Sequence, residues 1–546
     1  MQAKVVAAPL NDQGERFPNR RSRFSVFLFH SLTRLAVATI AKGVAIFLVT
    51  SCALAHASTY RVSPEQSYSA IQRVISSASP GDTISFSAGE YNASSGFELK
   101  CGATYTGPVA TPPTAVLSAS FTRGSKDIFN LAPGCKSPTT IQYLWFQNAG
   151  GIFVITTNAN LTITRNLFTG LPCCASQAHS PAIYFDGGRN PKDPTAQILS
   201  NATVTWNTFG DPTSCITPDA EPLLSYTADT AGNCAGIIVQ STTKGMTISN
   251  NNFIHLGEGV HFLCVYGPSG CEPPSTVTTS NVAAQFNDFS GIHRMGWEEQ
   301  PQPTENILFE YNSFHDPFHP FHGTFDLSLA CCNSGAAVPG VVVENNVLVQ
   351  NVPTGPPPAY IGYGIEAGGN GARYNNNLVE GLNNAPMIAW SVGKPPWEIK
   401  NNYICSPVNK QFIKEEGNWK QTMPAQIGNV TSAKCEPIAS AGPTISPSPS
   451  GTYDDRIKVT LTDAGLTQGP GPRGNTSIYY TTDGSIPTTA SNLYSAPFFV
   501  MPGAIVKAIG MWGSGANPRS YPPGYGFVPS GVQSAYYASS KAGRSR

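Results

Sequence analysis

Three carboxylates, Glu298, Asp326 and Glu366, occupy matching places in short alternating segments: Met295-Gly-Trp-Glu-Glu299, Thr324-Phe-Asp-Leu327 and Gly364-Ile-Glu366. If these segments are strands stacked one on the next, the three side chains form a single column. Like charges held about 5 Å apart repel and lose hydration, so a bare acidic column is costly unless it performs chemistry or holds a cation. Hydrolysis of a glycosidic bond is one such chemistry, because neighbours about 5 Å apart and next-but-one neighbours about 10 Å apart bracket the carboxylate separations of retaining and inverting enzymes. Elimination is another, in which the carboxylates hold Ca²⁺ against a uronate while a basic side chain such as Arg294 takes the α-proton. The catalytic candidates are therefore Glu298, Asp326, Glu366 and Arg294.

Around them, Gly291-Ile-His-Arg-Met-Gly-Trp-Glu-Glu-Gln300 and His315-Asp-Pro-Phe-His-Pro-Phe-His322 gather four of the nine histidines. His293, Trp297, Glu299, His315, His319, His322 and, further on, Trp390 are the candidates for contacting substrate. Histidines spaced by four and three would share a helix face, but Pro317 and Pro320 argue for a loop. Taken singly, each histidine also has a plain reading as a hydrogen-bonded loop residue, so the cluster carries more weight than any member. Ca²⁺ enters only under the elimination reading, and no other cofactor is called for.

What positions these groups is a repeat. Between residues 160 and 404 an alternating strand, an Asn and then an apolar residue two positions on recur eight times. Examples are Leu161-Thr-Ile-Thr-Arg-Asn166-Leu-Phe168, Met246-Thr-Ile-Ser-Asn-Asn251-Asn-Phe253 and Ala284-Gln-Phe-Asn287-Asp-Phe289. Later copies centre on Asn312, Asn345, Asn376 and Asn401. The spacing varies from 25 to 44 residues, which indicates a minimal coil carrying insertions. Asn suits a tight corner because it tolerates left-handed backbone and its amide can bond along a stack, while the following Phe, Leu or Val fills a core. Insertions at another corner then project from one side, where a groove would be built.

The composition agrees. Only 12% of residues are charged, aromatics reach 10%, and the chain holds 52 Gly and 46 Pro, a turn-rich and helix-poor mixture. Repeats also explain how 546 residues avoid needing several separate cores. Residues 60–91 begin with an amphipathic helix, apolar at Tyr68, Ile71, Val74, Ile75 and Ala78, followed by Pro80-Gly-Asp-Thr-Ile84. Here the chain resembles the pectate-lyase-like superfamily of right-handed parallel β-helices, over roughly residues 60–436. The resemblance implies an all-β, single-stranded β-helix with an N-terminal capping helix. It implies handling of polysaccharide but not which reaction, since these folds host lyases, hydrolases, epimerases and adhesins. The paired-Asp and Gly-His-Gly signature of polygalacturonases and a pectate-lyase calcium motif are both missing.

Residues 438–451 read as a Pro/Ser/Gly linker, and 452–540 as a small immunoglobulin-like β-sandwich of short strands between turn clusters. Tyr479-Tyr-Thr-Thr-Asp-Gly-Ser-Ile-Pro-Thr488 and Val506-Lys-Ala-Ile509 resemble the chitobiase/β-hexosaminidase C-terminal domain, a module that accompanies exported carbohydrate-active enzymes. It is expected to be accessory. Tyr479, Tyr480 and Trp512 could stack on sugar, although packing is the better expectation for the tyrosines.

Residues 1–57 carry seven Lys/Arg against Asp12 and Glu15, then the apolar run Val44–Val49 and Ala55-His56-Ala57. This reads as an export signal cut near Ser58. A lipobox-like Val49-Thr-Ser-Cys52 offers the alternative of a lipid anchor on Cys52. The protein is expected outside the cell or in a periplasm, without an integral membrane span, since the apolar run is short of about 20 residues. Of 33 basic and 33 acidic residues, losing seven and two leaves the mature chain about five charges negative, so nucleic acid is excluded as a partner. Polysaccharide is the expected partner and a monomer the expected state.

Without Cys52, twelve of the 13 cysteines remain for bridging in an oxidising compartment. Cys101–Cys135, Cys215–Cys234, Cys264–Cys271 and Cys405–Cys435 are the local pairings. The doublets at 173–174 and 331–332 form vicinal bridges or join each other. Neither doublet has zinc-ligand spacing. The functional expectation is a secreted glycoside hydrolase acting on polysaccharide through stacked carboxylates. A Ca²⁺-dependent lyase and a non-catalytic glycan-binding surface protein are its rivals.

Overall fold

A computed structural model describes residues 57–539 apart from intervening stretches, the longest being 212–234, 463–475 and 513–527; residues 1–56 and 540–546 also fall outside the description. The export segment, Cys52 and every predicted cysteine pair except Cys101–Cys135 therefore lie wholly or partly outside the described structure. Cys101 and Cys135 are disulfide-bonded, as their spacing predicts.

Successive coils lay strands on three parallel sheets of 13, 12 and 11 strands, each strand pairing with its equivalents one coil before and one coil after. The molecule is thus a right-handed parallel β-helix. Its first coil is closed by α1 (Tyr68–Ser77), which is N-capped by Ser67 and buries Ile71 and Ile75 against the core. Tyr68, Val74 and Ala78 complete the apolar face. An open coil end would otherwise expose that core to water.

Inward positions stack by residue type. Phe146, Phe168, Phe209, Phe253, Phe289 and Phe314 form one column, with ring centroids 4.4–4.9 Å apart and nearly parallel planes. That separation is the inter-strand spacing itself, so each aromatic lies over its repeat one coil away.

The asparagines form a second column, and here the structure refines the sequence reading. The ladder runs through buried Asn166, Asn207, Asn251, Asn287, Asn312, Asn346, Asn377 and Asn402 to the partly buried Asn429. Within it each side-chain amide before Asn429 donates to the Oδ1 of the next coil and to a main-chain carbonyl of the coil before, as Asn287 does to Asn312 and Ile248. In the later doublets the ladder member is the second Asn, so Asn345, Asn376 and Asn401 are not the stacked residues. The left-handed conformation belongs to the preceding position, with φ of 58° at Arg165, 61° at Trp206, 58° at Phe286, 57° at Tyr311 and 58° at Asn345. Corner bend and ladder bond are therefore divided between two adjacent residues. One must reverse the chain while the next turns its amide inward.

Bulky residues are uncommon in left-handed backbone and cost about 1 kcal/mol or more there. Those at Arg165, Trp206, Phe286 and Tyr311 lie beneath the C-terminal domain. Tyr536 lies 4.2 Å from the Arg165 guanidinium and 6.3 Å from the Trp206 ring. Lys507 Nζ sits 3.5 Å from the centre of Phe286, and Ile509 and Val532 pack with Phe286, Tyr311 and Tyr479. Burial pulls the Lys507 ammonium down to about 8, against the opposing attraction of Glu310. Tyr479 thus packs at the seam between the domains, and Tyr480 stacks on Phe498 at 3.9 Å.

The C-terminal domain is a sandwich of antiparallel sheets, one of three strands and one of four, around Val459, Leu461, Ile478, Val506, Ala535 and Tyr537. It begins earlier than its composition suggests. Thr444–Ser446, inside the segment read as linker, is an edge strand paired with Thr460–Thr462. Proline is tolerated at an edge, so Pro/Ser-rich composition does not distinguish an edge strand from a linker.

Candidate active site on the third sheet

The 11-stranded sheet carries the acidic segments. Strands Ala235–Gln240, Glu258–Phe262, Met295–Glu299, Phe325–Ser328 and Tyr363–Glu366 follow one another in it. Ile237, Val260 and Trp297 form one inward column, and Val239, Phe262 and Glu299 the next. Between them, on the opposite face of the pleat, run Ile238, His261 and Glu298.

The column then continues through Ser328 to Glu366. Glu298 and Glu366 share it, as expected, but Asp326 lies two residues upstream of it and Ser328 takes the intermediate place. The physical reason is the strand period: a shift of two residues keeps a side chain on the same face, so alternation cannot detect the slip. The side chains of Asp326 and Glu366 lie outside the described structure, as do Arg294, His293, His319 and His322 altogether. His315 ends a strand of the 12-stranded sheet, away from the acidic column's own sheet. Trp390 pairs with Glu415, one position beyond the column.

Trp297 is not a sugar platform. Its ring is wholly buried, 5.3 Å from Phe262 and 5.2 Å from Phe309, because its place in the alternation faces the core. Glu299 follows it inward, in register with Phe262, so the pleat turns it into the core and away from the column that carries Glu298.

The structure brings together a different set: Glu258, His261, Glu298 and, beneath them, Glu299. His261 Nδ1 is 2.6 Å from Glu258 Oε2, and its Nε2 is 3.2 Å from Glu298 Oε2. All three residues are at most 2% exposed. A carboxylate on Nδ1 orients the imidazole and directs Nε2, the nitrogen that exchanges protons, toward Glu298. Glu258 and His261 were missed because each sits in a segment that reads as an ordinary buried strand, Glu258-Gly-Val-His-Phe262. The available signal was His261's place in the same stack as Glu298.

Burial pushes the Glu299 carboxyl up to about 8, opposed by Thr279, by the charge of His261 and by Trp297. Neither of its oxygens makes a well-formed hydrogen bond. A carboxyl whose folded pKa is raised binds more protons folded than unfolded between its ordinary 4.5 and about 8. Stability therefore falls as pH rises through that window and levels off above it. Glu299→Gln removes this dependence: its thermal midpoint is expected to gain on the wild type from pH 5 to pH 8. Parallel melting curves across the window would reject the assignment.

One imidazole and two carboxylate donors lie within 4.8 Å of one another, a set that can hold a proton network or a metal ion. The described residues contain no helix long and apolar enough to cross a membrane.

No curated protein matches the chain. Among solved structures, the mannuronan C-5 epimerase AlgE6 A-module of Azotobacter vinelandii is similar at 14% identity and a TM-score of 0.42, over 67% of this chain and 89% of that one. PfbA, a surface adhesin of Streptococcus pneumoniae, gives 13%, 0.42, 67% and 87%. The catalytic unit of a GH87 α-1,3-glucanase from Streptomyces thermodiastaticus gives 13%, 0.38, 70% and 70%. These likenesses concern the winding of the chain alone, and an epimerase, an adhesin and a glucanase share it. Residues 448–521 match the family model of the chitobiase/β-hexosaminidase C-terminal domain, which covers most of the sandwich seated on the β-helix.

Proposed function

We propose that this protein is an exported glycoside hydrolase that acts on a neutral polysaccharide, with Glu298 as its central proton donor. The observation that carries the reading is the His261–Glu298 contact at 3.2 Å, with Glu258 holding the far side of the imidazole. Glu298 protonates the leaving glycosidic oxygen and is reprotonated through His261, whose orientation Glu258 maintains. Glu366, two coils along the same column, is about 10 Å away at a rise of about 4.8 Å per coil. At that spacing between strand positions Glu366 is the candidate for activating the attacking water, and an inverted anomeric product is the outcome such a pair would give. The Glu258 carboxylate held against His261 disfavours a second negative charge from a uronate, which favours a neutral glycan over the elimination route.

Burial of the trio to 2% or less favours one rival, a binding protein in which the trio is an internal network. Incubating purified protein with neutral and acidic polysaccharides, with reducing ends and ultraviolet absorbance followed together, separates the readings. Reducing ends without new absorbance, on a neutral glycan and with an inverted product anomer by NMR, is the expected result. Rising absorbance means elimination, and no release on any substrate supports binding.

A further inference from the structure

The trio on these two strands has donor types that the hydrolase reading does not exhaust. A buried imidazole with two carboxylates carries net negative charge unless a proton or a cation supplies the balance. The His261 Nε2 to Glu298 Oε2 distance of 3.2 Å is close to the separation of two ligands on one tetrahedral metal, about 3.3 Å for bonds of about 2.0–2.1 Å. Glu258 on Nδ1 stands where metal-binding histidines receive an orienting carboxylate, which fixes the tautomer and raises the basicity of the ligating nitrogen. The mixed nitrogen and oxygen donors select among ions: Ca²⁺ takes six to eight oxygens and Mg²⁺ a largely hydrated octahedron, whereas an imidazole suits zinc and its neighbours.

We propose that His261 Nε2 and Glu298, with Glu258 as the orienting carboxylate, form a site for a single divalent transition-metal ion of the zinc class, and that its occupancy switches off proton exchange between the two. Binding takes an unprotonated Nε2 and an ionised Glu298, so any proton that either carries leaves to solvent. Glu298 then has no proton to give. The inference rests on the same cluster as the hydrolase reading, so the two are tested by separate readouts.

Chelator-stripped, untagged protein is dialysed against ZnCl₂ or CaCl₂ and the bound metal counted. One zinc per chain and no stoichiometric calcium is expected, with the affinity lowered at least about 100-fold in His261→Gln and about 10- to 100-fold in Glu258→Gln. No bound zinc overturns the proposal. Zinc held with unchanged affinity by His261→Gln overturns it equally, because the ion then sits elsewhere. Should the variants misfold, Co²⁺ added to the wild type still decides: visible bands of a low-coordinate ion support the site, and a hexaaqua-like spectrum rejects it. Turnover is read in parallel with and without EDTA. Hydrolysis that proceeds in EDTA while zinc fails to bind removes this inference and leaves the hydrolase reading standing, and zinc binding without hydrolysis on any glycan does the reverse.

Discussion

Glu298→Gln is expected to reduce turnover of the polysaccharide substrate by about 10²- to 10⁴-fold, the range contributed by a positioned general acid or base. The amide matches the carboxyl in size and can still meet His261 Nε2, so the buried contact at 3.2 Å keeps a partner. What the amide cannot do is transfer a proton to a leaving oxygen. Glycan affinity, measured by calorimetry or by retention on the immobilised substrate, should therefore stay within a few-fold of wild type while kcat collapses. Glu366→Gln should fall by a similar factor if the pair works across two coils, and added azide should rescue it by standing in for the missing base. Full turnover by Glu298→Gln would move the reaction off this column. A loss of affinity equal to the loss of rate would mean that Glu298 only binds.

The other large effect concerns stability. Asn287→Ala is expected to destabilise the β-helix by about 3–5 kcal/mol, read as a shift in the denaturation midpoint at unchanged slope. Asn287 Oδ1 accepts from the main-chain N–H of Asn251 at 3.1 Å and from its side-chain amide at 3.0 Å. Its own amide donates to Ile248 O at 2.8 Å and to Asn312 Oδ1 at 3.0 Å. Truncation leaves the Asn251 N–H, one of its amide hydrogens and the Ile248 carbonyl buried without these partners, at about 1–3 kcal/mol for each stranded group. Asn429→Ala at the far end of the ladder is the control. Asn429→Ala strands the corresponding Asn402 N–H, Asn402 amide hydrogen and Ile399 carbonyl, but at a partly buried position that water reaches, so a smaller loss is expected. Equal losses at the two positions would show that the ladder acts as a set of independent caps and not as a continuous buried chain.

These two expectations draw on different kinds of legibility. The Asn and Phe columns follow from local chemistry repeated every coil: an amide that closes a bend, and an aromatic two places on that must be buried. A repeat advertises itself because each copy solves the same local problem, and the capping helix shows through its own 3.6-residue periodicity. Which member of Asn345-Asn346, Asn376-Asn377 or Asn401-Asn402 stacks was not legible. Both are asparagines, and only the coil above selects the one whose amide turns inward.

The site was legible in part. Glu298 and Glu366 share a column because both keep the strand alternation, but Asp326 and Ser328 keep it equally well, and the interstrand hydrogen bonds chose Ser328. Trp297 looks like a sugar platform only while its facing is unknown; one step along the pleat places it in the core. His261 and Glu258 sit 37 and 40 residues before Glu298 in the chain, and no local pattern relates residues separated by one whole coil and its insertion.

The sequence by itself determined that the chain winds into stacked coils, where the corners and core columns fall to within one residue, and that a sandwich of recognisable type follows. All of this is encoded within a single coil or a single strand. The tertiary structure alone decided the register of the third sheet, the meeting of Glu258, His261 and Glu298, and the seating of the sandwich on Arg165, Trp206, Phe286 and Tyr311. The reason is that a strand's period of two leaves shifts by two residues degenerate in the sequence, and contacts between coils or domains lift that degeneracy only when the whole chain is packed.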